Sequence, residues 1–400
     1  MLKKDSHTHI QNMAVVLEFI YRNPKTSRIE ISNASGLTPA TITNIMNDLL
    51  AKGWVLETGD VKSGVPGSGR RRKVLILNEE IGYFVGVEIN MKGIFAVVTD
   101  ILGKIVSQDA LFTNDYHIEN INDVVASMIS KVTDGIDSEF IFGAGIAIPG
   151  HFDLEEQTII SNNTRWKSFN LEKIKKTFPY SFVVNNNIEC MALGEYLFNP
   201  EDTPEKFMFF HVGHGIYCSF FNSKHLGFKE NDYIGEVGHT VVDIHGPQCE
   251  CGKKGCLQTY ISDSWLLKNA RLLYKQSNKT TLKGLVDSPD DITIETIINA
   301  YKLGDIYLNN QIDLGLLLLG TSVANTLILQ EADKIYLNSD LLSNTEFQEQ
   351  ITKRVEEQLQ FIPISRDVKI EVKMPDRYRG AIGACALAAF AFFIKNENYL

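Results

Sequence analysis

The chain has 400 residues, of which 44% are apolar and 10% aromatic, and this length exceeds what one hydrophobic core usually holds. We therefore expect two or three folded domains, and a disordered chain is excluded. The first residues, MLKKDSHTHIQ, lack the apolar run of a signal peptide, and the longest apolar stretches, residues 314–329 and 381–394, look too short or too interrupted to span a bilayer. We expect a cytoplasmic protein without membrane contact.

Charge is distributed unevenly along the chain. The net charge is −10, but residues 1–75 hold eleven Lys or Arg against six Asp or Glu, which leaves −15 for the other 325 residues. A polyanion would be attracted by the first segment and repelled by the rest. Any nucleic-acid binding should therefore be confined to the first 75 residues.

Residues 10–50 show the pattern of a helix-turn-helix. Apolar residues at helical spacing predict a first helix over residues 10–20, and a second, short helix follows over residues 27–36. The third helix begins at Thr38, a favourable N-cap residue, with Pro39 in the first turn, where its missing N–H costs nothing. Two helices joined by a tight glycine turn are typical of DNA-binding proteins.

The third helix has an apolar face and an opposite face of small and polar residues that can approach a DNA groove. Two strand-like runs around a cationic Gly/Ser loop follow, and they predict a wing suited to a phosphate backbone or a narrow minor groove. The predicted DNA contacts are Thr38, Ala40, Thr41, Thr43 and Asn44 of the helix and Arg70, Arg71 and Arg72 of the wing. The alternative interpretation is a three-helix protein-interaction module with a solvated basic tail.

After residue 75 the pattern changes to strands that alternate with helices. Strands are predicted within residues 83–106, with a turn at Gly103, and within residues 140–150, 182–187 and 206–215. Helices are predicted over residues 121–132, 292–311 and 314–330. This alternation indicates an α/β architecture, and its length favours two lobes with a cleft, the kind of place where small molecules bind.

Three of the six cysteines, Cys249, Cys251 and Cys256, lie within eight residues, and two glycines between them allow the chain to curl so that the thiolates converge. In a reducing compartment such a cluster favours a metal over a disulfide. One nitrogen donor would complete a tetrahedral zinc site; His239 is the candidate, and His245 is also near enough in sequence. Four protein ligands leave no open position, so we expect the zinc to be structural.

The segments around this cluster resemble those of the ROK family (repressors, open reading frames and kinases). GEVGH (residues 235–239) and CECGKKGCLQTY (residues 249–260) match the family's E-x-G-H and C-x-C-G-x-x-G-C-L-E segments, and GIAIPG, NNTRW and ALGE are further matches. The resemblance implies a winged helix followed by a two-lobed, actin-like ATPase (ribonuclease-H-like) body. It also implies that His239 and the three cysteines bind zinc, and that Glu236 and His239 contact sugar hydroxyls.

This resemblance leads us to expect an α/β protein in three parts. Residues 1–75 would form the winged helix-turn-helix domain. Residues 76–190 would form the first lobe, with a C-terminal helix at 381–400 packing back on it. Residues 191–380 would form the second lobe, which carries the zinc loop and a dimerisation surface.

The family contains both sugar kinases and transcription factors, and this chain departs from the kinases at four places. The kinase motif D-x-G-G-T-K is replaced by EINMKG at residues 88–93, and the loop G-T-G-x-G-G-G by GHGIYCS at residues 213–219, where Tyr217 would block a phosphate. Asn338-Ser339 replaces the glycine pair that makes room for adenosine. The catalytic Asn-Asp pair aligns with Asn186-Asn187, and an amide has no useful proton affinity near pH 7.

An amide can still hydrogen-bond to a sugar, so binding can persist where catalysis is lost. Gln258 replaces the glutamate of C-L-E, and this exchange of a carboxylate for an amide would favour an anionic sugar or sugar phosphate. The predicted sugar contacts are Asn163, Asn186, Asn187, Glu236, His239 and Gln258.

These features predict a sugar-responsive transcriptional regulator, a repressor of carbohydrate-utilisation genes without kinase activity. Its partners would be operator DNA, a sugar or sugar-phosphate effector, and a second copy of the chain in a homodimer or homotetramer. The first alternative is an ATP-dependent sugar kinase with an appended DNA-binding domain. The second is an interaction protein whose body is docked by a component of the phosphotransferase system.

Overall fold

The computed structural model describes residues 7–61, 72–112, 120–161, 164–225, 235–361 and 368–395. The chain divides into two compact units, Met1–Thr203 with Arg377–Leu400, and Pro204–Asp376. The first unit includes the predicted DNA-binding domain. The boundary expected between residues 190 and 191 falls inside helix Asn187–Phe198, which belongs to the first unit together with the C-terminal helix.

The helices and strands alternate along most of the chain. The α-helices are α1 (His7–Arg22), α2 (Arg28–Ser35), α3 (Pro39–Ala51), α4 (Ile121–Val132), α5 (Leu171–Lys175), α6 (Asn187–Phe198), α7 (Gln258–Ile261), α8 (Asp263–Gln276), α9 (Ile294–Lys302), α10 (Ile306–Leu329), α11 (Thr345–Leu359) and α12 (Arg379–Ala388). The strands are β1 (Val55–Val61), β2 (Arg72–Leu77), β3 (Tyr83–Asn90), β4 (Gly93–Asp100), β5 (Ile105–Phe112), β6 (Ile141–Ile148), β7 (His151–Asp153), β8 (Thr158–Ile160), β9 (Phe182–Asn186), β10 (Lys206–Val212), β11 (Ile216–Asn222), β12 (Lys334–Asn338) and β13 (Lys369–Lys373).

The first three helices and the β1–β2 hairpin form a winged helix-turn-helix. Gly36 ends α2 in the left-handed conformation, and the Thr38 side chain caps α3 by accepting from the Thr41 N–H. One face of α3 is buried in the core of this module. Its fully buried side chains are Ile42, Ile45, Met46 and Leu49. Strand β2 pairs with β1 in antiparallel register, so the predicted wing strands are present.

The first lobe is built on a five-stranded sheet of order β5-β4-β3-β6-β9. Strands β3, β4 and β5 are antiparallel neighbours, whereas β3, β6 and β9 run parallel. Helix α12 packs against this sheet at two glycines, because a side-chain carbon at Gly86 would lie 2.0 Å from the Ala381 carbonyl oxygen and one at Gly145 would lie 1.9 Å from that of Ala384. A π-helical segment, Ala389–Ile394, continues α12.

The second unit has a four-stranded sheet of order β11-β10-β12-β13, in which β10, β12 and β13 are parallel and β11 is antiparallel to β10. The predicted break between two helices at residues 311–314 is wrong. The break lies at residues 303–305, where Gly304 adopts φ +81° and the Asp305 side chain caps α10 by accepting from the Tyr307 and Leu308 N–H groups. A single 24-residue helix follows.

The sequence predicted that the apolar stretch at residues 314–329 is too short to span a bilayer, but it is part of the longer helix α10. By length and composition alone α10 could cross a membrane, because its most apolar 18-residue segment has a mean hydropathy of 1.8. However, 44% of that segment is buried, and Ile312, Leu316, Leu319 and Val323 pack in the core of the second unit. The apolar character of α10 is therefore explained by burial in a protein core.

Candidate functional site

A group of four potential metal ligands lies in the second unit, in a segment that we call the metal loop (residues 239–258). The ligand atoms of His239, Cys249, Cys251 and Cys256 all lie within 4.8 Å of one another. The Cys249 sulfur is 3.7 Å from His239 Nδ1, and the Cys251 and Cys256 sulfurs are 3.6 Å apart. These four residues can hold a metal ion in the manner of a Cys3His site.

The metal loop is folded by glycines and backbone hydrogen bonds that bring its two ends together. Gly252 and Gly255 adopt φ +89° and +68°, and a side-chain carbon at Gly255 would lie 1.6 Å from the Asp243 carbonyl oxygen. The Gly255 N–H donates to the Pro247 carbonyl, and the Lys253 ammonium donates to the His239 carbonyl at 2.7 Å. The sulfurs converge because only glycine permits this close return of the chain.

The chemistry of the cysteine sulfurs fits a bound cation. Burial raises the pKa of Cys249, and it raises that of Cys256 to about 12. Desolvation acts in the same direction on Cys251, but hydrogen bonds from the Lys253 backbone N–H and from the neighbouring cysteines lower its pKa. Burial disfavours the thiolate forms of Cys249 and Cys256, and a metal ion held by all four residues would supply the cation that stabilises them.

The structure separates the two histidines that the sequence left as alternatives. His239 belongs to the ligand group, whereas His245 does not. The three cysteines outside the metal loop, Cys190, Cys218 and Cys385, are fully buried, as expected of small apolar residues.

Glu236 lies just before the metal loop, and Gln258 is its last residue. Glu236 is half-buried and directly precedes a 3-10 turn, Val237–His239, so it lies one turn from the histidine ligand. Gln258 is 7% exposed, and its Nε2 donates to Glu250 Oε1 at 2.9 Å and lies 3.6 Å from the Cys249 sulfur. The Gln258 amide therefore borders Cys249, one of the four potential metal ligands.

Asn186 and Asn187 lie in the first unit, at the start of α6. The Asn186 side chain caps the helix: its oxygen accepts from the Ile188 N–H at 2.8 Å, and its Nδ2 donates to the Gly150 carbonyl at 2.9 Å. Asn187 is half-buried, and its Nδ2 lies 3.4 Å from an oxygen of Glu88, a carboxylate that is only 2% exposed. Asn163, the remaining predicted sugar contact, lies outside the described residues.

The second unit contains another region of interest, which we call the hairpin region. It comprises strands β10 and β11, their turn Gly213–Gly215, and Asn338 at the end of β12. The Gly213 N–H donates to the Gly215 carbonyl at 3.0 Å, so this N–H is used within the turn. The Asn338 Nδ2 atom forms a hydrogen bond with His211 Nδ1 at 2.9 Å, and Asn338 is 8% exposed. The Tyr217 ring packs on Gly235, where a side-chain carbon would lie 2.3 Å from the ring.

The DNA-facing residues predicted for α3 divide into two groups. The Thr38 and Thr41 hydroxyls hydrogen-bond to each other at 2.9 Å, and the Thr43 hydroxyl donates to the Pro39 carbonyl at 2.8 Å, so all three already have intrahelical partners. Ala40 and Asn44 are exposed and can meet a base edge, as is Asn47 one turn further on.

The predicted DNA contacts of the wing are Arg70, Arg71 and Arg72. Arg70 and Arg71 lie outside the described residues, and Arg72 is the first residue of β2.

Two residues of interest were not among the predicted site residues. Glu88 stands where the kinase motif has its aspartate, and the structure places its buried carboxylate next to Asn187. Its only signal in the sequence is an acidic residue in an otherwise apolar strand. His211 was likewise missed, because its contact with Asn338 joins residues 127 positions apart.

Residues 84–390 match the ROK family, and residues 16–55 match a winged helix-turn-helix DNA-binding family. The first match covers more than half of the chain, and the chain therefore belongs to the ROK family. It combines the family's two-lobed, actin-like body with an amino-terminal winged helix, as the sequence predicted.

Relatives of similar length are named as regulators. The xylose repressor of Bacillus subtilis (strain 168) is 26% identical over 336 residues, which is 83% of each chain. The transcriptional dual regulator NagC of Escherichia coli (strain K12) is 24% identical over 383 residues, which is 94% of this chain and 91% of NagC.

Solved structures show the same fold. A ROK family transcriptional regulator, described as a homologue of the E. coli MLC protein, has a TM-score of 0.77 at 20% identity and covers 98% of both chains. A ROK family glucokinase from Streptomyces griseus, in complex with glucose and AMPPNP, has a TM-score of 0.65 at 23% identity and covers 76% of this chain and 99% of the enzyme. The glucokinase matches only about three quarters of this chain.

Proposed function

We propose that this protein is a sugar-responsive repressor that binds operator DNA and has no kinase activity. The observation that carries the proposal is the combination, in one chain, of an exposed small and polar face on α3 with a ROK family body. Relatives named xylose repressor and N-acetylglucosamine repressor support it. The genes under control would serve carbohydrate use.

A zinc ion bound by His239, Cys249, Cys251 and Cys256 would have a structural role. Its chemistry is that of a cation that holds three thiolates and one imidazole in a fixed tetrahedral arrangement. The Nδ1 atom of His239 faces Cys249, so coordination there would fix the plane of the ring and the direction of Nε2. His239 would thus present a defined donor or acceptor to a sugar hydroxyl.

The effector would be a sugar or a sugar phosphate. Glu236, His239 and Gln258 offer one carboxylate, one imidazole and one amide to its hydroxyl groups. In the other unit Asn187 offers a second amide, whereas the Asn186 side chain is used in capping α6 and would act by placing Asn187. Asn163 remains part of the proposed contact set.

Two properties support the proposed absence of kinase activity. Asn187 has no carboxylate with which to deprotonate a sugar hydroxyl. The turn of the hairpin region uses the Gly213 N–H internally, so this backbone donor is not available to a triphosphate.

The proposed assembly is a cytoplasmic homodimer or homotetramer. A dimer would present two α3 helices to half-sites about one turn of DNA apart. Exposed apolar residues on one stripe of α10, Leu314, Leu317 and Ile328, support self-association through the second unit. Sugar binding would shift the population between states of high and low operator affinity.

The test is a fluorescence-anisotropy titration of zinc-loaded protein against fragments of its own upstream DNA at fixed salt, with xylose, N-acetylglucosamine and their phosphates as probes. We expect one fragment to bind more tightly than random DNA and one sugar to release it. Asn44→Ala should weaken specific binding by about 10-fold, since one good base contact contributes about 1–3 kcal/mol. Asn299→Ala, an exposed helical asparagine in the second unit, is the matched control.

Two outcomes would contradict the proposal. Binding to every fragment with the affinity of random DNA would remove the repressor function. Release of ADP from ATP with any sugar of the panel would favour the kinase with an appended DNA-binding domain.

A further inference from the structure

Helix α6 runs from the proposed sugar contacts to the DNA-binding module. Asn187 is its first residue, and Tyr196 lies in its last turn. Nine residues of α-helix separate the two by about 14 Å along the axis. One short helix therefore connects the start of the effector site with the surface on which the winged helix sits.

The end of α6 is joined to α1 by three kinds of contact. The Tyr196 hydroxyl donates to Glu18 Oε1 at 2.8 Å, and Arg22 Nη1 donates to the Tyr196 carbonyl at 2.7 Å. The Arg22 guanidinium also lies 4.4 Å from the centre of the Tyr196 ring, and its other amino group donates to the Thr203 carbonyl. Tyr196 is 3% exposed, whereas Glu18 and Arg22 are half-buried, so these contacts are partly shielded from water.

Helix α6 has the properties of a rigid connector. Nine of its twelve residues are buried. It packs closely on α12, because a side-chain carbon at Gly383 would lie 2.4 Å from the Cys190 carbonyl oxygen, and Arg379 pairs with the buried Glu195 at 2.7 Å. A close-packed helix does not absorb a displacement by bending, so a shift at its first residue moves its last turn as well.

A separate aromatic contact holds the module in place from another side. The Phe393 ring lies 4.6 Å from that of Trp54 and 6.1 Å from that of Tyr21, and the Tyr21 hydroxyl donates to the Ile101 carbonyl at 2.6 Å. None of these four residues lies on α6. They anchor the winged helix to the lobe, whereas the contacts of Tyr196 link it to the helix that begins at Asn187.

We propose that Tyr196, through Glu18 and Arg22, is the positioning residue by which a sugar bound at the start of α6 changes the operator affinity of the winged helix. The proposal deepens the proposed function and rests on it. A sugar that hydrogen-bonds to Asn187 favours one position of α6. The Tyr196–Glu18 and Tyr196–Arg22 contacts transmit that displacement to α1. Tyr196 touches neither the sugar nor the DNA.

The test compares Tyr196→Phe with Tyr274→Phe in the full-length, zinc-loaded protein. The first variant removes only the hydroxyl that meets Glu18, and the second removes a hydroxyl that donates to the Asp287 carbonyl in the other unit. Operator affinity is measured by anisotropy with and without the releasing sugar, and sugar affinity by calorimetry with and without operator DNA. The ratio of the two operator affinities is the coupling factor, and reciprocity requires the same factor in sugar affinity.

We expect Tyr196→Phe to keep the sugar affinity of the free protein and the operator affinity of the sugar-free protein within about threefold, while the coupling factor falls by about 5-fold or more, because a hydrogen bond to a charged acceptor is lost. Tyr274→Phe should keep the full factor. On the module's side, Glu18→Ala should reduce the factor in the same way, and Glu18→Gln should restore most of it, since an amide oxygen still accepts the hydroxyl.

The outcomes separate the two proposals. If wild-type protein is released by a sugar and Tyr196→Phe and Glu18→Ala keep the wild-type factor, the connection through α6 is overturned and the proposed function stands. If the same sugars leave wild-type operator binding unchanged, the proposed function is overturned, and the role of Tyr196 falls with it. A purely structural role would lower both operator affinities equally and leave the factor unchanged.

Discussion

The metal loop and the hairpin region belong to the same unit, and both correspond to motifs of the ROK family. Their side chains are arranged differently: in the metal loop they converge on one point, and in the hairpin region they pair or pack. In the metal loop, glycines bring four ligand side chains within 4.8 Å of one another. In the hairpin region, the Asn338 amide hydrogen-bonds to the His211 ring, and the Tyr217 ring packs on Gly235. The comparison teaches that glycines bring polar side chains together in the metal loop, whereas in the hairpin region the side chains pair with each other or pack on the neighbouring chain.

Removal of one metal ligand is the strongest way to test the metal loop. His239→Ala should lose its stoichiometric zinc, with affinity lower by more than about 100-fold, because even changes to residues around a metal site cost 10- to 100-fold. His245→Ala is the matched control, since this exposed histidine is outside the ligand group. Metal content by mass spectrometry and the thermal unfolding midpoint provide the measurement. Full zinc in His239→Ala would show that the ligand set is wrong.

Gln258 allows a finer test, because it borders a metal ligand. Gln258→Glu places a carboxylate where an amide donates to Glu250 and approaches the Cys249 sulfur, so like charges would face each other. We expect zinc affinity to fall by about 10-fold in a competition titration with a chelating indicator. Gln276→Glu, an exposed change at the end of α8, should have no effect.

A second substitution shows whether charge is the cause. The double variant Gln258→Glu with Glu250→Gln should recover most of the affinity, because it restores a single carboxylate to the pair. Unchanged affinity in Gln258→Glu alone would mean that the amide does not influence the metal loop.

The smallest effect is expected from restoring the missing base. Asn187→Asp supplies a carboxylate, but the turn of the hairpin region still uses the Gly213 N–H internally and Tyr217 still covers Gly235. We therefore expect no ADP release above the wild-type background with ATP and the sugar panel. Measurable turnover in this variant would show that the hairpin region does hold a triphosphate. The proposed difference in function between the hairpin region and the metal loop would then be wrong.

Local patterns were enough to predict the winged helix and the convergence of the three clustered cysteines. The N-cap at Thr38 and the end of α2 at Gly36 depend on neighbouring residues alone, and the structure confirms both. The predicted helix at residues 121–132 is also confirmed with the same bounds. In contrast, the break at residues 311–314 was misplaced, because periodicity could not distinguish a pause in the pattern from the true stop at Gly304.

What the sequence by itself determined about this protein is therefore its class of fold, its basic amino-terminal module and the cluster of three cysteines in the metal loop, since each follows from short-range spacing and side-chain chemistry. The tertiary structure alone decided the choice of His239 over His245, the use of Asn186 as a helix cap, the partnership of Asn187 with buried Glu88, and the contact of Tyr196 with Glu18. Glu88 and Asn187 are 99 positions apart, and Glu18 and Tyr196 are 178 apart. Such pairs form only when packing of the sheet and helices brings distant segments together, which no local pattern records.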